Sequence, residues 1–242
     1  MASPLLQDVL ATAITFALAL SWLRLMDGLA SGGVIKQTLS RKLIHIGTGP
    51  LFVLCWPLFS DQVGARYWAA LVPLAITGKF LAIGLGWWQD AAAVQSMTRH
   101  NQPREILRGP LYYGLVFIVC TIVFWRQSPA GILALMMMCG GDGLADIVGR
   151  RWGRHKLPLN PEKSWAGSMA MFGASVLGGW VALWLFSALG YVQLQVSLGQ
   201  AAIATVLIAA AATVVEALPY QDIDNLTLPL VVLVLGQFML PG

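Results

Sequence analysis

Unbroken apolar stretches, each close to the length that crosses a bilayer, recur along the whole chain and leave little sequence between them. A helix needs about 20 mainly apolar residues to span roughly 30 Å of hydrocarbon. Eight segments approach that length: 5–26, 43–59, 67–87, 110–125, 130–148, 166–190, 197–218 and 225–240. The second and fourth are short, as tilted or re-entrant segments would be, so seven full crossings would also fit. The runs are continuous, not alternating in and out, which argues against a transmembrane barrel. Charged residues make up only 11% of the chain, against roughly a quarter in a soluble domain. The expected fold is therefore all-α: a polytopic transmembrane helical bundle forming a single integral membrane domain over 1–242. The first segment has Asp8 near its start and no basic flank, so it reads as a span and not as a cleavable signal. Cys55, Cys120 and Cys139 lie in apolar stretches, too scattered for a disulfide framework or a metal knuckle.

Orientation follows from the cations. Eleven of the fifteen lysines and arginines fall in odd-numbered loops: Lys36, Arg41 and Lys42, then Arg99, Arg104 and Arg108, then Arg150, Arg151, Arg154, Lys156 and Lys163. The even-numbered loops hold only Arg66 and Arg126, while Arg24 and Lys79 lie inside spans. The positive-inside rule puts the odd loops in the cytoplasm or its organellar equivalent, with both termini opposite. Nothing in this pattern calls for nucleic acid as a partner.

In so apolar a chain, charges within spans are the informative residues, because each costs about 2.5–3.5 kcal/mol at the bilayer centre unless paired or hydrated. The stretch MMMCGGDGLADIVGRR carries two, Asp142 and Asp146. Four residues apart on a helix, their carboxylates share one face, one turn apart. Gly140, Gly141 and Gly143 surround the first and would let the backbone approach a ligand closely. Two hard oxygen donors followed by Arg150 and Arg151 suit a Mg²⁺–polyphosphate complex. The same residues also fit a buried acid pair neutralised by arginines.

The loop that follows, GRRWGRHKLPLNPEKSWAGS, enters the next span at Lys163-Ser164. A phosphate there would meet an ammonium, a hydroxyl and free backbone N–H groups together, with Gly167 and Ser168 keeping the first turn small and polar. The spacing is not that of a P-loop, and a plain N-cap beside a snorkelling lysine is the structural alternative. Before the second span, SRKLIHIGTG would project Arg41, Lys42 and His45 from one helix face. Before the last, VVEALPYQDIDNLTLPL offers Glu216, Asp222, Asp224 and Asn225, either a second metal-binding edge or charge-balancing partners for the basic loops. Lys79 is expected to snorkel or to pair with an acid inside the bundle, and Asp8 to be no more than an interfacial acid.

Taken together, these segments resemble a known family. The block from 108 to 172 is similar to the phytol kinases of plants and cyanobacteria, part of a wider polyprenol kinase group that includes dolichol kinase and CTP-dependent diacylglycerol kinase. RKLIHIGTG within 41–49 and VEALP…DNLTLP within 214–230 resemble the group's other two signatures, in the same order. The resemblance implies a membrane kinase that transfers phosphate from CTP, with Mg²⁺, to the hydroxyl of an isoprenoid alcohol drawn from the bilayer. It further implies phytol salvage toward tocopherol and a cyanobacterial or plastid membrane. Carried onto this chain, it implies catalytic Asp142, Asp146 and Lys163. It implies nucleotide or phosphate contacts at Arg41, Lys42, His45, Gly141, Gly143, Arg150, Arg151, Ser164, Gly167, Ser168 and Asn225. Metal contacts would fall at Asp142, Asp146, Glu216 and Asp224. One departure is that many relatives place two adjacent acids before the asparagine, whereas here Ile223 precedes Asp224-Asn225. Farnesol, geranylgeraniol, dolichol, diacylglycerol or phytyl phosphate are alternative acceptors. Cytidylyl transfer to phosphatidate and a transporter are the more distant readings.

Overall fold

The computed structural model describes residues 3–219 and 223–241. Each of the eight apolar segments forms a helix: α1 Pro4–Ser31, α2 Gln37–Cys55, α3 Ala65–Gly84, a short α4 Ala91–Met97 in the loop, α5 Gly109–Val119, α6 Pro129–Met136 with α7 Gly143–Trp152, α8 Trp165–Ala188, α9 Leu198–Ala217 and α10 Asp224–Met239. Starts are set by ordinary caps. The Ser3 hydroxyl accepts from the Leu6 amide at 3.3 Å ahead of Pro4, and Ser197 with Gln200 closes a reciprocal capping box on α9. Among the described residues six helices are long and apolar enough to cross a membrane. The expected second span, α2, carries Arg41, Lys42 and His45, and α10 has only 16 residues. The fourth segment is longer than its apolar run: a 3₁₀ turn, Pro103–Leu107, leads into α5, and a π-helical turn, Cys120–Phe124, follows it.

The α6–α7 span is the axis of the bundle. Its most apolar stretch is 61% buried, against 17% for α1, and Ile132, Leu133, Leu135, Met137 and Met138 are fully enclosed. The run of methionines is packing, as its composition indicates. A π-helical turn, Met137–Asp142, separates α6 from α7, a widening often found where a helix carries a functional group. Neighbours approach this axis closely at small residues, the usual way helices associate in lipid. A Cβ at Gly143 would collide with Ile46 of α2, and one at Gly141 with Ser175 of α8. Two of the three glycines expected near a ligand, Gly141 and Gly143, are thus helix-packing positions, while nothing stands within 4 Å of a Cβ at Gly140.

The loop after α7 is not irregular. Lys156–Leu157 (β1) pairs antiparallel with Asn160–Ser164 (β2), so that β2 runs directly into α8. The Asn160 side-chain amide donates to the Ala217 and Leu218 carbonyls at 3.2 Å and ties this hairpin to the end of α9. Lys79 pairs with Asp90 at 2.7 Å, an acid in the loop and not one inside the bundle. That hydrogen bond, with the Ala93 amide behind it, holds the Asp90 carboxyl below its ordinary range.

The far end of the molecule has its own polar lock. Asp8 is buried and accepts from the Ser60 amide at 2.7 Å and the Ser60 hydroxyl at 3.0 Å, so it fastens α1 to the α2–α3 connection and is more than an interfacial acid. The backbone at Trp125 turns through φ 31°, and Arg126, 1% exposed, then reaches into the same connection. It donates to the Trp56, Phe59 and Ser60 carbonyls at 3.1, 2.9 and 2.9 Å.

Candidate active site

Because α2 and α7 run antiparallel, the RKxxH and DxxxD spacings meet as two rungs. Lys42 Nζ lies 3.5 Å from Asp146, and one turn deeper His45 Nε2 lies 3.2 Å from Asp142. The π-helical turn presents the Met138 carbonyl to the same nitrogen at 3.1 Å. Both neighbours accept hydrogen bonds, so Nε2 carries a proton and donates to them. The Tyr113 hydroxyl donates to the His45 carbonyl at 2.8 Å, and its ring packs on the imidazole with centroids 4.5 Å apart. The sequence gives no sign of Tyr113, which reads there as one more aromatic in an apolar run.

The rungs differ in what they leave available. Both Asp146 oxygens are held by Arg150 Nε at 2.9 Å, so Asp146 orients two cations. Asp142 is buried and gives one oxygen to His45. On the other side of the site, β2 aims Lys163 at the ends of α9 and α10: it is hydrogen-bonded to Glu216 and lies 4.0 Å from Asp224. Asn225 lines the cavity beside them, and Asp222 lies outside the described residues. Among the described residues no three His, Cys, Asp or Glu side chains converge as a metal cage. Burial disfavours the Lys163 ammonium, but Glu216, Asp142 and Asp224 outweigh it and raise its pKa above the ordinary value.

A consequence for stability follows from that sign. A raised lysine pKa stabilises the fold fully below the unfolded value of about 10.4 and ceases to do so only as pH climbs through the folded value. The melting temperature in detergent should show no Lys163-dependent fall from neutrality to about pH 9. At neutral pH, Lys163→Met should lower stability by about 1–3 kcal/mol, because Glu216, 2% exposed, loses its partner. A variant melting with the parent would contradict this pairing.

Ser164 sits at the N-cap of α8, its hydroxyl accepting from the Gly167 amide at 3.2 Å. Gly167 is required here by close approach, since a Cβ would stand 2.9 Å from the Ala145 carbonyl. Ser164, Gly167 and Ser168 all line the cavity, whereas Gly141, Gly143 and Arg151 do not. The Arg151 guanidinium lies over the Trp152 ring, 5.0 Å from its centroid. The cavity is also lined by Arg99, His100, Glu105 and Arg108, none of which stands out in the sequence as a site residue. Their cations are indistinguishable in sequence from ordinary positive-inside bias. In the fold, Glu105 accepts from the Arg99 and His100 amides at 2.7 and 3.1 Å and curls this loop over the mouth. Arg41, Arg99 and Arg150 line this mouth together, with Asp146 and Glu105 as acids in the same lining. Guanidinium groups gathered at one mouth favour a polyanion between them.

One cavity of about 830 Å³ joins all of this. Its mouth is the ionic cluster; its other part is apolar, passing between α1, α2, α3 and α5 along Trp22, Leu51, Phe52, Val72, Ile76 and Phe117. Down α2 the change is visible turn by turn, from Arg41 and Lys42 through His45 and Thr48 to Phe52 and Cys55. Such a cavity, ionic at its mouth and apolar within, lies among the helices of a polytopic membrane protein.

Comparison with known proteins narrows the class. The chain is 48% identical over 98% of its length to the rice (Oryza sativa subsp. japonica) protein named Probable phytol kinase 1, chloroplastic, and covers 75% of it. It is 47% identical over 100% of its length to the wheat (Triticum aestivum) Probable phytol kinase, chloroplastic, covering 80%. It is 43% identical over 93% of its length to Phytol kinase 1, chloroplastic, of Arabidopsis thaliana, covering 74%. No family model and no solved structure matches. The chain belongs to the phytol kinase family.

Proposed function

We propose that this protein phosphorylates the hydroxyl of phytol, using CTP with Mg²⁺, at the basic mouth of its bundle on the cytoplasmic or stromal side of a cyanobacterial or plastid membrane. Salvage of phytol toward tocopherol is the corresponding role. The observation that carries the reading is the continuity of an ionic mouth with an apolar limb, which suits a donor and an acceptor that arrive from different solvents. Similarity to proteins named phytol kinase supports the acceptor.

In the proposed reaction the alcohol oxygen forms a bond to the γ-phosphorus, the bond to the bridging oxygen breaks, and phytyl phosphate and CDP leave. The hydroxyl proton, released late, passes to a phosphoryl oxygen. Such a transition state is loose, with charge on the equatorial oxygens, so positioning and neutralisation dominate catalysis. Arg41, Arg99 and Arg150 would receive the phosphate chain, and Lys42 and Arg150 are held for that purpose by Asp146. Lys163 and the N-terminal turn of α8 would face the transferring group. Mg²⁺, for which Asp142 and Asp224 offer hard carboxylate oxygens, would draw charge from the donor phosphates. His45 fixes the Asp142 carboxylate, and Tyr113 fixes His45. The alcohol would enter laterally from the bilayer and bring only its hydroxyl to the rung of His45 and Asp142.

Purified protein in detergent, given a panel of nucleoside triphosphates and isoprenoid alcohols, tests the reading. Phytyl phosphate with stoichiometric CDP is the expected product. Release of pyrophosphate would identify a cytidylyltransferase instead, and turnover of diacylglycerol but not phytol would overturn the acceptor.

A further inference from the structure

Four helices wall the apolar limb, and three of the seams between them are closed. Between α1 and α2, a Cβ at Gly47 would collide with the Trp22 indole, and the Ser40 hydroxyl donates to the Met26 carbonyl at 3.1 Å. Between α3 and α5, a Cβ at Gly114 would collide with Thr77. Between α2 and α5, the Tyr113 hydroxyl holds the His45 carbonyl and, deeper, Phe52 packs on Phe117 with ring centroids 5.5 Å apart. The seam between α1 and α3 differs. The two helices start from the same end of the bundle, where the Thr12 hydroxyl reaches the Trp68 carbonyl at 3.2 Å. Nearer the mouth, among the described residues, no hydrogen bond, ion pair or ring contact joins them.

Side chains along that half of the seam show where the cavity meets the outside. Leu18 and Trp22 on α1 and Ile76 and Phe80 on α3 line the cavity at successive turns. Leu18 is 44% exposed and the other three are half-buried, whereas Thr15 and Val72, one turn deeper on each helix, are 1% and 2% exposed. Among the described residues, Leu18 is the one exposed large apolar side chain that also lines the cavity. Beside Phe80, the Lys79–Asp90 pair marks the headgroup level, where such charges are hydrated. An isoprenoid alcohol in the bilayer keeps its hydroxyl at that level and its tail below, because an unbonded hydroxyl in hydrocarbon is costly.

We propose that the mouth-side half of the α1–α3 seam is the portal by which the alcohol acceptor leaves the bilayer, its tail passing between Leu18 and Trp22 on one side and Ile76 and Phe80 on the other. The inference rests on the reading of the protein as an isoprenoid-alcohol kinase. The hydroxyl slides along the mouth toward the His45–Asp142 rung while the tail moves sideways into the limb, so neither end changes solvent. Of the six long apolar spans α1 is the least buried, which makes it the wall best able to yield. A bridge across this seam therefore stops an acceptor from entering but not the chemistry of one already inside.

The test combines Leu18→Cys with Ile76→Cys in nanodiscs and joins the two thiols with a flexible, reductively cleavable bismaleimide. The native Cys55, Cys120 and Cys139 are buried, and the parent treated with the same reagent is the reference. Bridged before phytol is added, the protein should form phytyl phosphate only in proportion to its unbridged fraction, and cleavage should restore the rate it had before bridging. Bridged after loading with phytol, it should complete a single turnover when CTP and Mg²⁺ are added, and then stop. Sustained turnover by the bridged protein would overturn the portal and leave the kinase reading intact. Loss of that first turnover would also overturn it, because the bridge would then act on the chemistry and not on entry. Parent protein that forms no phytyl phosphate would overturn the kinase reading itself. If the pair fails to fold or to bridge, Leu18→Trp decides: it should lower kcat/KM for phytol several-fold. Leu25→Trp, exposed on the same helix but outside the cavity, should stay at the parent level. A Leu18→Trp value equal to the parent's would overturn the proposal.

Discussion

Asp142→Asn should abolish phosphoryl transfer while leaving a folded protein. Asparagine preserves the volume and a carbonyl oxygen for the proton on His45 Nε2, now 3.2 Å from the carboxylate. It removes only the negative charge. The neighbouring cations keep other partners, since Lys42 retains Asp146 and Lys163 retains Glu216, so the bundle has no new unpaired charge to bury. In the proposed reaction, however, Asp142 is the buried carboxylate with an oxygen left for Mg²⁺. Loss of one preorganised electrostatic group at a transferring centre costs about a hundredfold to a thousandfold in kcat, and loss of metal affinity adds to that. Asp146→Asn should be milder, because Arg150 and Lys42 then lose orientation and not charge. The check is phytyl phosphate formation by each variant at saturating Mg²⁺, beside its size-exclusion profile in detergent. A fully active Asp142→Asn variant would remove the metal role.

Arg126→Met should cause the largest loss of stability of any single substitution considered. The side chain is 1% exposed, and three backbone carbonyls, those of Trp56, Phe59 and Ser60, accept from its guanidinium. Its plane also packs over the Tyr191 ring, 4.2 Å from the centroid, which links the α2–α3 connection to the α8–α9 connection. Methionine matches the length but leaves the Phe59 and Ser60 carbonyls without donors, at about 1–3 kcal/mol each, while the Trp56 carbonyl keeps the Phe59 amide. The partner Asp61 contributes little of this, because its side chain is 91% exposed and a solvated pair is weak. Asp61→Asn should therefore melt within a degree or two of the parent, whereas Arg126→Met should yield aggregated or early-melting protein. Arg126→Lys should recover only part of the loss, since an ammonium lacks the planar fork. A parent-like melting curve for Arg126→Met would show that the far-end lock is not what holds these connections.

Much of this organisation is legible in the residues themselves, and what is not has physical reasons. Continuous apolar runs locate the helices because lipid demands internally satisfied backbone. Asp142, Asp146 and His45 stand out because charge inside such runs is costly. Pairing is harder to read: the i,i+4 spacing puts the two aspartates on one face, but only the antiparallel crossing of α2 and α7 matches each to a different partner, Asp142 to His45 and Asp146 to Lys42. Gly141 and Gly143 have the composition of a ligand loop and the position of a helix contact, and nothing local distinguishes the two. The hairpin at Lys156–Leu157 and Asn160–Ser164 is too short for an alternating pattern to show. Arg126 carries no signal beyond its charge, because its partners are backbone carbonyls contributed from elsewhere in the chain. Arg99 and Arg108 resemble any juxtamembrane cations until Glu105 folds their loop over the mouth.

A cryo-EM structure determined with phytol, Mg²⁺ and a non-hydrolysable CTP analogue would test the central claim most directly. The proposed site predicts triphosphate density among Arg41, Arg99, Arg150 and Lys163, with the phytol hydroxyl beside Asp142 and its tail between α1, α2, α3 and α5. Triphosphate bound away from that mouth, or phytol seated on the outer surface of the bundle with the limb closed, would contradict it.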